Sequence, residues 1–372
     1  ANDFFRPIDG VYGVMELQPG QVNWGQINSQ PLPGAVRLWL WHVFAGGSKF
    51  ACTYRYRQPI YGTELYHYGI VGPDGVTPTP GGLEYSEFIK EIKQLRKEYK
   101  TGAKNPESYE KRRTAILFNH ENSWEMEQNK QTTEWDTERH IDKYYDALKN
   151  FGAPVDFIDE RTDFSKYTTM IAPAYEMLDK ELVERWRTYA EQGGNLILTC
   201  RTGHKTRNGQ LWEAPFAEPI YSLIGAKIDF YDLLQPSTPD QIVFDGKRYD
   251  WTSWGEILIP DTDTQTWAAY EGDYYAGRPA IITHRLGKGT VTYVGVDSKD
   301  GEMEKAVLKK LYGQLNIPLL DLAPGLHIEY RDGFGIAVNY SDKTLSLPLN
   351  PNVKYIFGGK EIKTAGVSVW KE

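Results

Sequence analysis

Twice along this chain, short apolar runs alternate with longer amphipathic segments, the signature of strands joined by crossover helices. The first run, residues 11 to 16 (Val-Tyr-Gly-Val-Met-Glu), ends in a carboxylate and is followed by Pro19-Gly20, as expected of a buried strand leaving a core at its C-terminal end. Pro33-Gly34 opens a helix in which Val36, Leu38, Trp39, Leu40, Val43 and Phe44 are apolar, and Gly46-Gly47 stops it. Phe50 to Tyr56 reads as a second strand. After a loop rich in Gly and Pro, Glu84 to Tyr99 places Phe88, Ile92, Leu95 and Tyr99 at i, i+4, i+7 and i+11, an amphipathic surface helix. Strand, helix, strand, helix, each strand ending in polar or ionisable residues, predicts two consecutive units of a (β/α)8 barrel. Two units cannot close a barrel. Their open edges and apolar faces would need covering, by residues 110 to 320 or by another chain.

A linker over Thr101 to Glu110 precedes an alternation with a different rhythm. Thr114 to Phe118, Val155 to Ile158, Thr168 to Ala172 and Asn195 to Thr199 read as strands, Glu134 to Asn150 and Asp179 to Gln192 as helices, which predicts a doubly wound parallel sheet. From residue 207 come Tyr-, Trp- and Asp-rich loops, then a hairpin of Ala280 to His284 and Thr290 to Val296 about Leu286-Gly287-Lys288-Gly289, then a helix over Glu302 to Leu315. Short alternating runs at His327 to Arg331, Gly335 to Tyr340 and Thr344 to Leu349 predict a small all-β cap. The expected fold class is α/β: the last two units of a (β/α)8 barrel over 1–105, a doubly wound flavodoxin-like α/β domain over 106–322, and a small all-β domain over 323–372.

Several classes of function are disfavoured by composition. The 372 residues exceed one ordinary domain, and 40% hydrophobic with 25% charged residues suits a soluble globular protein. Net charge is -8 and the cations are scattered, so no nucleic-acid surface is expected. No run approaches the about eighteen uncharged apolar residues of a membrane span, and Ala1-Asn2-Asp3 has neither the basic nor the apolar region of an export signal. The expectation is a soluble chain, off the membrane, with any export signal removed and its compartment open. Cys52 and Cys200 each lie in a β-rich apolar run, which predicts two buried thiols rather than a disulfide or metal site. His120-Glu121 and His140 lack a metal-binding spacing, and Lys288 between two glycines is a hairpin turn rather than a phosphate loop; no metal and no cofactor is expected.

The stretch Val14-Met15-Glu16-Leu17-Gln18-Pro19-Gly20-Gln21-Val22-Asn23-Trp24 is similar to the signature around the nucleophile of family 42 glycoside hydrolases, retaining β-galactosidases, and Pro33-Gly34 with Arg37-Leu38-Trp39 continues it. Tyr54-Arg55-Tyr56-Arg57-Gln58 with Glu64 and His67 resembles the family's eighth barrel strand and the loop after it. The later segments resemble its trimerisation domain, which is similar to class I glutamine amidotransferases, and its C-terminal β domain. The resemblance implies that Glu16, ending the seventh strand, is the nucleophile, that Trp24, Tyr54, Glu64 and His67 contact the galactosyl ring of a galactoside substrate, and that the protein is a homotrimer. In the family the acid/base is a Glu after an Asn at the end of the fourth strand. The residues before Glu16 contain no such pair, so strands one to six and the acid/base are expected to be missing and this chain to be inactive alone.

Each assignment has a plainer counterpart. Glu16 could be a barrel carboxylate paired with Arg55 or Arg57; Glu64 and His67 could be a solvated loop pair; Trp24 could pack under the loop from Pro19; Tyr54 could belong to the core as well as to the pocket. Glu64 is the wrong candidate for the acid; a hydrogen bond to the sugar, tightening in the transition state, suits it with His67. Leu196 to His204 puts a Cys, a Gly and a His just after a strand, yet Leu198 is too bulky for a nucleophile elbow, and a buried structural Cys200 is expected. Two functions follow: a retaining β-galactosidase with Glu16 as nucleophile, or a non-catalytic oligomerisation module carrying a barrel remnant.

Overall fold

In a computed structural model, which describes residues 1–8, 10–99 and 102–371, the two alternations fall in different units: Ala1–Glu110 with Asn150–Pro154 and Leu320–Glu372, and Lys111–Lys149 with Val155–Leu319. The chain enters through a short helix, α1 (Asn2–Phe5), and then β1 (Val14–Leu17), α2 (Ala35–Ala45), β2 (Ala51–Thr53), α3 (Pro80–Glu98) and α4 (Glu107–Lys111). Thr101, where the linker was expected to begin, lies outside the described residues; the remainder of that segment contains α4.

β1 and β2 pair in parallel, Val14 opposite Ala51 and Leu17 opposite Thr53. β2 is shorter than the apolar run Phe50 to Tyr56 predicts. The chain leaves β1 after Thr53 and exchanges backbone bonds with a returning loop instead, Ile70 N to Arg55 O at 2.9 Å and Val71 N to Tyr56 O at 2.8 Å. α2 starts at Gly34, whose φ of 94° suits a glycine, and it lacks a cap of its own. Glu84 supplies one from α3, accepting from Gly34 N at 2.7 Å and Arg37 N at 2.8 Å, an anion on exposed helix donors. Glu91 then clamps the pair: Arg37 forks onto it at 2.9 and 2.6 Å, and Trp41 Nε1 donates to it at 2.9 Å. α3 begins a turn before Glu84 because Thr79 caps it, accepting from Gly82 N, and Pro80 fills its first position.

The second unit runs β3 (Thr114–Leu117), α5 (His120–Gln128), α6 (Thr137–Asn150), β4 (Val155–Ile158), β5 (Thr169–Ala172), α7 (Lys180–Glu191), β6 (Asn195–Thr199), α8 (Tyr221–Ile224), β7 (Ala226–Asp232), β8 (Gln241–Phe244), β9 (Lys247–Pro260), β10 (Gln265–Tyr270), β11 (Pro279–Leu286), β12 (Gly289–Val294), β13 (Val296–Ser298) and α9 (Glu302–Gln314). The strands form one sheet in the order β13-β9-β8-β10-β11-β12-β6-β5-β3-β4, with β7 also on β9. It is parallel from β4 to β12 and antiparallel beyond, through the hairpin at Gly287-Lys288. The expected parallel core is therefore half of a mixed sheet. The strands β7 to β10 fall where loops were expected. β9 hides its periodicity because polar Ser253 and Glu256 are buried with Trp251, Trp254, Ile257 and Leu258, their side chains satisfied by internal hydrogen bonds.

The chain returns to the first unit with β14 (Leu326–Arg331), β15 (Phe334–Asn339), β16 (Leu345–Ser346), β17 (Tyr355–Phe357), β18 (Glu361–Ile362) and β19 (Val367–Lys371). β14-β15-β19-β17 is an antiparallel sheet. One of its faces buries Phe334, Ile336, Val338, Val367 and Val369 against Leu38, Trp41 and Ala45 of α2 and Leu95 of α3, with Phe88, Ile92 and Tyr99 alongside. The stripe on α3 thus faces a sheet of its own unit. Residues 320 to 372 cover one face of these helices.

Candidate active site

Glu16 is exposed near the end of β1, and Tyr54 follows β2, so the parallel pairing brings both to one end of the two-stranded sheet. That end is braced: Thr53 Oγ1 donates to Leu17 O at 2.8 Å and Tyr85 OH to the same carbonyl at 3.0 Å. The Tyr85 hydroxyl, pushed up to about 12 by burial, stays a donor. From below, α3 approaches closely; a Cβ on Gly81 would lie 1.5 Å from Pro19 O.

Neither arginine takes Glu16. Arg55 pairs with Glu64 at 3.2 Å and Arg57 donates to Pro73 O, so among the described residues Glu16 makes no ion pair; its carboxylate accepts from Gln18 Nε2 at 2.7 Å. Tyr54 OH donates to Glu64 Oε2 at 2.6 Å, and its ring meets His67 edge-on at 5.2 Å. The hydroxyl is held above its ordinary pKa first by that bond to Glu64, then by partial burial and by the charges of Glu64 and Glu16, against the pull of Arg55. The charge of Glu16 is thus felt at the Tyr54 hydroxyl. His67 is buried; Nδ1 lies 3.1 Å from Tyr68 O, and Nε2 has no hydrogen-bond partner among the described residues. Trp24 is 71% exposed rather than packed beneath its loop, while Asn23 Nδ2 joins the two loops by donating to Thr63 O at 3.0 Å. The sequence does not mark Gln18, Arg55 or Tyr85 for these contacts: Gln18 and Arg55 meet partners two and nine residues away only because of the turns between them, and Tyr85 meets Leu17 from 68 residues away.

The cysteines part company. Cys200 is buried and its thiol is held far above the ordinary value by burial, so it supplies no thiolate. The groups after it are spent on structure. Arg201 lies between the rings of Trp135 and Trp254, 4.8 Å from each, and donates to Glu176 at 3.0 Å. His204 Nε2 lies 3.0 Å from Glu256, which also accepts from Arg201 N, Trp254 Nε1 and Tyr293 OH. Cys52, expected to be buried, is exposed, because β2 has a single neighbouring strand among the described residues. His120 stacks on Trp124, and His140 is bonded to Asp297. Among the described residues no three His, Cys, Asp or Glu side chains converge as metal ligands, and no helix is long and apolar enough to cross a membrane.

Near the C-terminal end of this parallel pair, then, lie a carboxylate without an ion pair among the described residues and a tyrosine that contacts a second carboxylate and a buried imidazole. The chain belongs to the family 42 β-galactosidases: residues 112–320 match the family described as the β-galactosidase trimerisation domain, and residues 1–95 the family described as β-galactosidase. It spans about half the length of the curated relatives it matches. β-Galactosidase BgaH of Haloferax lucentense is 28% identical over 96% of this chain and 52% of its own; β-galactosidase BgaB of Geobacillus sp. is 27% identical over 99% and 56%. Among solved structures, the β-galactosidase of the Antarctic haloarchaeon Halorubrum lacusprofundi superposes with a TM-score of 0.89 at 27% identity, covering 100% of this chain and 55% of that one. That of psychrophilic Marinomonas ef1 gives 0.83 at 25%, over 97% and 53%.

Proposed function

We propose that this chain carries the nucleophile's half of a retaining β-galactosidase, with Glu16 attacking the anomeric carbon of a terminal β-D-galactoside. The observation that carries the reading is the exposed Glu16 carboxylate, free of any ion pair among the described residues, near the end of β1 beside the strand that Tyr54 follows, with Tyr54 donating to Glu64. In this mechanism the sugar leaves its aglycone as it bonds to Glu16, and water then releases it. Retention needs a second carboxyl roughly 5 to 5.5 Å away that gives and later takes a proton. Glu64, held by Tyr54 and Arg55, is suited to accept from sugar hydroxyls, with Nε2 of His67 as a further acceptor and Trp24 as a stacking face. The acid/base would come from the part of the relatives' length that this chain does not span.

On this reading residues 1–105 are the seventh and eighth barrel units, 106–322 a trimerisation domain, and 323–372 a β domain. Large apolar side chains left in solvent just before and on β1, Val11 at 75% and Met15 at 72% exposed, support further barrel strands lying there. Glu16→Gln in the protein as its gene encodes it is expected to lower turnover of a nitrophenyl β-galactoside by about 10³-fold or more. Wild-type turnover in that variant would remove Glu16 from the mechanism and return the chain to an assembly role.

A further inference from the structure

We infer that Gln18 is a positioning residue for the Glu16 carboxylate, holding its Oε1 so that Oε2 is the atom that attacks the sugar. The inference rests on the reading of Glu16 as nucleophile. Gln18 Nε2 donates to Glu16 Oε1 at 2.7 Å. A reversed amide would set a carbonyl oxygen against a carboxylate, so the contact itself assigns the donor. With Arg55 on Glu64 and Arg57 on Pro73, this bond is, among the described residues, the side-chain restraint on an otherwise solvent-facing carboxylate. Attack needs a defined geometry, and a freely rotating glutamate reaches it only by losing rotamer freedom that the amide has already removed.

The backbone on both sides of Gln18 is pinned. Leu17 O accepts from Thr53 and Tyr85, and Pro19 O sits where a side chain at residue 81 would be. The amide's other end argues against a merely structural role: Gln18 Oε1 is buried without a hydrogen-bond partner among the described residues, an arrangement that costs stability rather than adding to it. In the step Gln18 serves, Glu16 Oε2 forms a bond to the anomeric carbon and the glycosidic C–O bond breaks. The electron pair leaves on the aglycone oxygen, which takes a proton from a protonated carboxyl acting as general acid. An amide donor on Oε1 fixes the carboxylate plane throughout, while Oε2 keeps its lone pairs for carbon.

Two near-isosteric variants of the full-length enzyme test this. Gln18→Met keeps the length and removes the N–H; Gln18→Glu keeps the shape and turns the donor into an acceptor. For a nitrophenyl β-galactoside, Gln18→Met is expected to lower kcat by about tenfold to hundredfold, with KM and competitive inhibition by galactose unchanged within about twofold, and Gln18→Glu to lower kcat further. A kcat for Gln18→Met within about twofold of wild type overturns the inference. So does a loss in which KM and the galactose inhibition constant rise together with the fall in kcat, which would mark a sugar contact or a folding defect. If Glu16→Gln is inactive and Gln18→Met is normal, only the role of Gln18 falls; if Glu16→Gln turns over normally, the nucleophile reading falls first.

Discussion

Asp297 shows how much a single side chain holds in the second unit. It is 4% exposed and is shared by His140 Nδ1 at 2.7 Å, Lys143 Nζ at 2.7 Å and Ser253 Oγ at 2.9 Å. Burial pushes its carboxyl up, but His140 and Lys143 outweigh burial and hold it below the ordinary aspartate range. A carboxyl depressed in the native state contributes stability that is fully present above its unfolded value, about 4, and is lost as pH falls through the lower native value. Asp297→Asn is expected to cost about 3 to 5 kcal/mol at pH 7, since it takes the carboxylate from a buried cation, and to flatten the loss of stability below about pH 4. Urea unfolding at a series of pH values measures both, and an unchanged midpoint at pH 7 would count against the cluster. At the same scale the motif around Glu16 and the block with Glu64 and His67 single out those three residues, but which arginine meets which carboxylate is decided by the turn after Thr53.

At the scale of elements, the first turn of α3 sets the height of the β1 loop. Thr79 and Pro80 fix where the helix begins, and Gly81 and Gly82 let it close on Pro19 and Ile70, whose carbonyl oxygens would lie 1.5 and 2.0 Å from added Cβ atoms. Neither glycine has a left-handed backbone, so their role is the close approach itself. Gly81→Ala is expected to destabilise by about 1 to 3 kcal/mol through overpacking and to lower kcat by displacing the Glu16–Pro19 segment. Gly313→Ala on α9, where a Cβ meets nothing within 4 Å, is the control. Equal unfolding midpoints for the two variants would refute the packing argument. α2 depends on the same neighbour, because its N-terminal donors are capped by Glu84 across the helix pair rather than by its own sequence.

For the molecule as a whole, the family of residues 112–320 makes assembly a prediction: the full-length protein should show three times its chain mass by light scattering at micromolar concentration, and a monomer there would oppose a trimer. The sequence by itself determined the alternation of strands and helices, the carboxylate near the end of the first strand, the hairpin at Gly287-Lys288 and the resemblance around Glu16, because periodicity, turn residues and contiguous motifs are local. Only the tertiary structure decided that β14 to β19 cover α2 and α3, that residues 226 to 270 hold four strands, that Cys52 is exposed while Cys200 is buried, and that Gln18 rather than an arginine meets Glu16. The physical reason is common to all of these. An apolar stripe records that a face is to be buried, not what buries it, and a polar side chain records that it needs a partner, which only the path of the folded backbone selects.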